Sequence, residues 1–338
     1  AKRRAAVMTT AGFADDSMPA SLAPPDLSKP RFPQSTYAGR ARHFFATVNP
    51  ANCFHSNETL ERSRQMVVDY RNGKLSKEVT VGQLWCAKEI FDSAYHPETG
   101  EKMNILGRMS SQVPANMILN GGLLTFRTHF PSVIFWHWLN QSFNAVVNYT
   151  NRSGENTVSN QRLFASYCAA TGSALAVAIG LNTRVKKAAG FGARLIPFAA
   201  VALANAVNIP MIQHRELESG IVLRDAAGVE VGKSRVAAAV AITQVTLSRI
   251  SMAASTMVTT PLLMMAISNR RFYRTRPWLA APIQTIIAGF TLTFATPLCC
   301  AFFPQTASIK VKYLEASTRE AISKLPNAPE IVYYNKGL

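Results

Sequence analysis

Four asparagines, Asn140, Asn144, Asn148 and Asn151, recur at helical-turn spacing. On a helix they project within about 80° of one another, with Gln141 at the edge of the row. Amides do not titrate near neutral pH, so such a row does no acid–base work. It can hydrogen-bond a polar, uncharged or zwitterionic solute. The plainer alternative is a polar helix end leaving an apolar phase. Gln244, Ser248, Ser251, Ser255 and Thr259 form a second row of similar width. Its plainer use is interhelical bonding at about 0.6 kcal/mol per contact. Arg249 stands beside that row and either pairs with a substrate carboxylate or snorkels to an interface. Asn205 and Asn208 lie one turn apart just before Pro210, and Asn208 joins the candidates. The candidate pathway is therefore Asn140, Asn144, Asn148, Asn208, Gln244 and Arg249. Leu at Asn144 or Gln244 is expected to cut transport.

Other chemistries lack their residues. The chain has no CxxC and no GxxxxGK[ST], and its five cysteines are scattered apart from the adjacent Cys299 and Cys300. No disulfide scaffold, zinc ribbon or nucleotide loop is therefore expected. His129 and His137 could share a helix face, but nothing gathers further ligands around them. No nucleophile–His–Asp set stands out. The reading is no enzyme, no cofactor, no metal and no catalytic residue.

The elements that hold these amides follow from where charge is missing. Charged residues are 16% of the chain, against ~25% in soluble domains. Residues 163–183, 195–214, 250–269 and 277–309 carry no charge, and 109–151 carry only Arg127. Each is long enough for a spanning helix of about 20 residues. In lipid such runs must be helical, and no alternating segments recur for a β-barrel. The expected spans are 114–138, 163–181, 195–213, 240–268 and 278–303. The first carries Gly121, Gly122, Arg127 and Pro131, so two half-helices are an alternative there. No Asp or Glu falls in any span, which argues against ion coupling.

The predicted architecture is all-α and polytopic. It has a soluble helical region over 1–112, a membrane domain over 113–305 and a soluble tail over 306–338. Residues 1–112 hold 11 of the 19 acidic residues. Asn57 is expected to cap a helix running to Arg71, and Thr80 with Gln83 to form a capping box for the next. Leu84, Ala87, Phe91 and Ala94 then make a packing stripe, ended by Pro97. Lys2, Arg3 and Arg4 open an acid-free segment that reads as the remnant of a transit sequence.

The net charge of +17 comes from 36 basic and 19 acidic residues. The basic residues ring the spans, which suits anionic lipid such as cardiolipin rather than nucleic acid. With five spans, the N-terminal region shares a side with the loops carrying Arg184, Lys186, Lys187 and Arg194 and Arg270, Arg271, Arg274 and Arg276. The opposite loops carry Arg152, Arg162, Arg215, Arg224, Lys233 and Arg235. That slight bias places the N-terminus on the positive-inside, matrix face.

Longer strings carry a resemblance. His96-Pro97-Glu98-Thr99-Gly100-Glu101-Lys102-Met103, Gly107-Arg108-Met109-Ser110, and the run Asn140 to Arg152 resemble the sideroflexins. The runs 196–202, 241–244 and 294–301 and the terminal Asn335-Lys336-Gly337-Leu338 extend the likeness from about Pro30 to Leu338. The motif residues carried over are His96, Pro97, Thr99 and Gly100. The family's first-span arginine falls one position after Arg127. The resemblance implies a multi-pass protein of the mitochondrial inner membrane. It also implies facilitative transport of serine and other small neutral amino acids for one-carbon metabolism. The alternative is a structural subunit among other inner-membrane proteins. The family name points to iron, but no string here resembles an iron site. The mitochondrial-carrier motif occurs once, at Pro24 to Lys29, without its repeats.

Overall fold

The computed structural model describes residues 25–336 apart from 28, 75–78, 97–98, 127, 152–159, 186–190 and 327. Three helices open the chain: α1 (Tyr37–Thr47), α2 (Asn57–Arg71) and α3 (Val81–Ala94). The cap of α2 is Ser56 rather than Asn57, because the Thr59 amide donates to Ser56 Oγ at 3.2 Å. Gly73, at φ +69°, stops that helix. The capping box of α3 is present. The Gln83 amide donates to Thr80 Oγ1 at 3.2 Å and the Thr80 amide to Gln83 Oε1 at 3.0 Å. The expected stripe packs inward: Leu84 meets Leu27 and Val67, and Ala94 meets Leu60, with Phe91 against both groups.

The stretch expected as the first span is a hairpin of two helices, α4 (Gln112–Thr125) and α5 (Phe130–Thr150). Close contacts set its antiparallel course. A Cβ on Gly107 would sit 2.2 Å from Thr150 Oγ1, and one on Gly122 would sit 2.3 Å from the Trp136 ring. Between them Leu119 packs on Phe143 and Val147. Arg127 lies outside the described residues.

The bundle continues with α6 (Asn160–Val185), α7 (Phe191–Arg194), α8 (Ile196–Ile212) and α9 (His214–Ser219). Alanines let the neighbours close on one another, as where Val133 of α5 meets Ala178 of α6 and Ala200 of α8. A hairpin of β1 (Ile221–Arg224) and β2 (Glu230–Ser234) leads into α10 (Arg235–Ser268). After α11 (Arg271–Arg274), α12 (Ala280–Cys300) runs back. Leu163–Gly180, Arg235–Ser268 and Ala280–Cys300 are long and apolar enough to cross a membrane, while α8 is apolar but has 17 residues. At 1.5 Å per residue α10 is about 50 Å long, well beyond a ~30 Å hydrocarbon core.

Its excess length is buried in a small sheet. The tail forms β3 (Thr306–Lys310), α13 (Ala316–Ser323) and β4 (Ile331–Asn335), and the strand order is β2-β1-β4-β3, all antiparallel. Ala237, Ala238 and Ala241 of α10 pack with Leu223, Ile322, Val332 and Tyr334. Glu315 ties the two halves together. It accepts from Ser234 Oγ at 2.6 Å and from the Arg235 amide at 2.8 Å, at the start of α10.

Burial alone would push the Glu315 carboxyl up, but the hydrogen bonds from Ser234, Arg235 and Thr318 outweigh it and hold it below the usual range. A lowered folded value stabilises the protein above the ordinary carboxylate range. That contribution is lost as pH falls through the folded value. Glu315→Gln is expected to cost about 1–2 kcal/mol near neutral pH, the scale of a helix cap. It should also flatten the acid side of a plot of melting midpoint against pH. An unaltered plot would remove this role.

The N-terminal region caps the same end of the bundle as the sheet. Tyr37 Oη donates to the Leu298 carbonyl at 3.1 Å, and Arg40 Nε to the Ala301 carbonyl at 2.9 Å, both at the C-terminal end of α12. The loop carrying Arg270, Arg271, Arg274 and Arg276 joins the far ends of α10 and α12. It therefore lies opposite the N-terminal region, not beside it as the five-span count had it. The reason is the α4–α5 hairpin, which adds a reversal. The charge comparison built on that grouping no longer places the N-terminus.

Candidate functional site

A cavity of about 220 Å³ lies at the sheet end of the bundle. Sites for drug-sized ligands run ~300–1,000 Å³, so this one suits a smaller solute. Its wall is the last turn of α5 (Val147, Asn148, Asn151), the end of α8 (Ile209, Ile212, Gln213) and the start of α9 (Arg215, Glu216). Val245, Ser248, Arg249 and Met252 of α10 and Thr296 and Cys300 of α12 complete it, with Phe44 of α1 and Lys336 of the tail closing over it.

These elements meet because each supplies small or apolar contacts behind the polar wall. Ile209 packs on Ile242 and Val245, which fixes α8 against α10. Asn151 holds the α5 end in place: its Nδ2 donates to the Gly107 carbonyl at 2.8 Å and to the Val147 carbonyl at 2.8 Å. The last amide of the row is therefore a clasp between α5 and the start of α4.

Several polar atoms on the cavity wall have no protein partner. Ser248 Oγ, Gln213 Oε1 and Glu216 Oε2 are buried without a hydrogen bond among the described residues. Arg249 forms no ion pair or hydrogen bond with any described residue. Buried polar groups usually find partners, so these atoms stand out on the wall. Burial pushes the Glu216 carboxyl up from its ordinary value. Lys336 is committed: its Nζ donates to the Phe303 carbonyl at 2.8 Å. Burial pulls its ammonium down, the Cys300 thiol opposes that, and Arg40 adds to it.

Of the six candidates from sequence, Asn148 and Arg249 line the cavity together. Asn144 and Asn140 lie one and two turns earlier in α5. Asn140 is buried with its Nδ2 unpartnered and Asn144 is half-buried. Gln141 Nε2 and His137 Nδ1 likewise have no partner among the described residues, and His137 lines a second, tiny void of about 10 Å³. The amide row thus leads from the cavity toward the other end of the bundle. Asn208 is buried in α8 but off the cavity wall. Gln244 sits by the Tyr334 hydroxyl of the sheet, where burial raises the phenol and the Gln244 amide lowers it. In the second row, Ser255 Oγ donates to the Ser251 carbonyl at 2.8 Å, a bond along α10 itself rather than the interhelical one expected of the row. His129 and His137 are not paired: His129 Nδ1 meets Ser132 Oγ at 2.8 Å.

The motif residues form a turn away from the cavity. The His96 amide donates to the Glu101 carbonyl at 2.8 Å and the Gly100 amide to the His96 carbonyl at 2.9 Å. The Thr99 amide donates to His96 Nδ1 at 3.3 Å. Gly100 has φ +67°, a conformation a side chain would strain. Pro97 lies outside the described residues. This turn points Met103 back so that the buried Arg108 can donate to its carbonyl from Nε and Nη2, both at 3.2 Å. Its role is to join the N-terminal helices to the bundle.

Glu216, Gln213 and Lys336 were missed as site residues. Glu216 reads as one of several charges in a polar connection, and nothing in its neighbours marks it as buried. Lys336 had a signal, since it falls in the terminal string quoted for the resemblance. Among the described residues no group of three or more His, Cys, Asp or Glu side chains is placed to hold a metal.

A bundle of apolar helices, three of them long and apolar enough to cross a membrane, defines a polytopic membrane protein. The family model of the sideroflexins matches residues 26–338. The chain is 54% identical to Sideroflexin-1.1 of Caenorhabditis elegans, over 93% of this chain and 97% of the worm protein. It is 48% identical to human Sideroflexin-3 and 49% identical to Sideroflexin-1 of Sus scrofa, each over 93% of this chain and 98% of the relative. The chain belongs to the sideroflexin family. No solved structure matches it.

Proposed function

We propose that this protein carries serine and other small neutral amino acids across the mitochondrial inner membrane by facilitated exchange or diffusion, supplying one-carbon metabolism. The observation that carries the reading is Arg249, a cation with no ion pair among the described residues, on the wall of a cavity sized for a small solute that Asn148 and Ser248 also line. A guanidinium without a protein carboxylate is a ready partner for a substrate carboxylate. Amides and hydroxyls can hold an uncharged polar side chain, and the spans hold no acidic residue for a driving ion. At the far end, exposed Arg270, Arg271, Arg274 and Arg276 flank exposed Phe272 and Trp278, a pattern that fits anionic headgroups such as cardiolipin's.

Uptake of labelled L-serine by proteoliposomes, with a panel of competing amino acids, tests this reading. Serine, alanine and glycine should compete, while aspartate and lysine should not. Asn148→Leu should lower serine uptake about tenfold, the cost of one buried polar contact left unmade. The sequence alone had placed that effect at Asn144 and Gln244. The cavity wall puts Asn148 forward instead. Competition by acidic and basic amino acids equal to that by serine would sink the reading.

A further inference from the structure

We propose that Glu216 receives the ammonium group of the substrate, opposite the carboxylate held by Arg249, so that the cavity selects ligands carrying both charges. The inference rests on the reading of this cavity as an amino-acid site.

Glu216 and Arg249 share the cavity from different elements, α9 and α10, yet form no ion pair with each other. Each is a charge withdrawn from water without the compensation such a group needs. Glu216 and Gln213, three residues earlier, line the same wall, and Glu216 Oε2 and Gln213 Oε1 are enclosed without a hydrogen bond among the described residues. A carboxylate with a neighbouring amide oxygen suits an ammonium once their side chains turn to it, since an ammonium donates three hydrogen bonds and accepts none. Arg249 offers donors only, as a carboxylate requires. Lys336 does not compete for the carboxylate as strongly, since its ammonium already serves the Phe303 carbonyl. A zwitterion satisfies both walls at once. An amine alone or an acid alone leaves one buried charge open, and that is the more expensive state. Ser248 and Asn148 remain for the substrate's own hydroxyl.

Burial raises the Glu216 carboxyl in the open cavity. Arg215 beside it, Arg249 on α10, and Lys336 and Cys300 across the space are the other charged or titratable groups that face it. An arriving ammonium favours the ionised form.

The test compares binding of L-serine, L-glycerate (hydroxyl in place of ammonium) and serinol (no carboxylate) to the purified full-length protein by calorimetry. Serine should bind the wild type at least roughly tenfold more tightly than either analogue, the scale of one charge-assisted hydrogen bond. Glu216→Gln should weaken serine about tenfold and leave glycerate unchanged or tighter, while Glu216→Asp should keep part of the preference for serine. Unaltered preference of serine over glycerate in Glu216→Gln overturns the assignment, whether or not serine uptake persists. Equal binding of all three ligands by the wild type overturns it without any variant. If serine does not bind and is not taken up, the transport reading itself fails.

Discussion

Arg249→Met should abolish most serine uptake, by about a hundredfold or more, and should leave the protein as stable as before or more so. The two halves of that expectation have one cause. A guanidinium–carboxylate pair made with two parallel hydrogen bonds is roughly twice as strong as neutral contacts. Losing both bonds costs ~3–4 kcal/mol of binding, or two to three powers of ten. Without substrate, however, Arg249 is a half-buried cation with no hydrogen-bond or ion-pair partner among the described residues. Methionine keeps much of the aliphatic stem and removes that uncompensated charge. Replacements of this kind are often neutral or stabilising. Uptake and melting temperature, measured on the same detergent preparation, should therefore move in opposite directions or uptake should move alone. Arg249→Lys keeps the charge but not the fork, and should recover only part of the rate. Uptake of Arg249→Met within threefold of wild type would show that the guanidinium does not touch the solute.

The largest effect on stability is expected at Gly121, where α4 crosses α12. A Cβ there would lie 2.2 Å from Thr285 Oγ1, 3.0 Å from its Cβ and 3.1 Å from its Cα. The hydroxyl could turn away, but the backbone of α12 could not without shifting the helix. Gly289 makes the reciprocal contact, with Met117 Sδ 2.2 Å from where its Cβ would be. Helices in lipid gain no hydrophobic drive from each other, so such close approach is a main source of their association. Gly121→Val should therefore cost about 3 kcal/mol or more, at the upper end of overpacking penalties. Adding Thr285→Ala should return part of the loss, because it removes the nearest clashing atom. A thermal melt of the two single variants and the double variant gives the coupling. Strict additivity would show that the two residues do not meet.

How much of this was legible beforehand varies by element. The uncharged runs located α6, α8, α10 and α12 closely, because the cost of charge in lipid is written directly into composition. Around 126–129 the apolar character barely falters, so the reversal between α4 and α5 was visible only as Gly121, Gly122 and Pro131. Counting that stretch as one span, with the two half-helices kept only as the alternative, misgrouped the loops. The sheet was not legible. Its strands are four or five residues long, lie in charged connections, and pair Arg224 with Tyr333 across more than a hundred residues. The first turns of α10 read as loop for the same reason, their apolar partners being in the tail. At the site, helical spacing identified a polar face on α5 but could not say at which height a cavity opens. That depends on where α8 ends and α9 turns, so Asn148 is chosen over Asn144 only by the fold. Glu216 is set apart only by its half-buried place on the cavity wall, a property of its neighbours.

The most direct test is a structure of the reconstituted protein with saturating L-serine. The account predicts density for one small solute between the Arg249 guanidinium and the Glu216 carboxylate, within hydrogen-bonding reach of Ser248 or Asn148. Serine bound elsewhere, with this cavity holding only water in a preparation that transports serine, would contradict it.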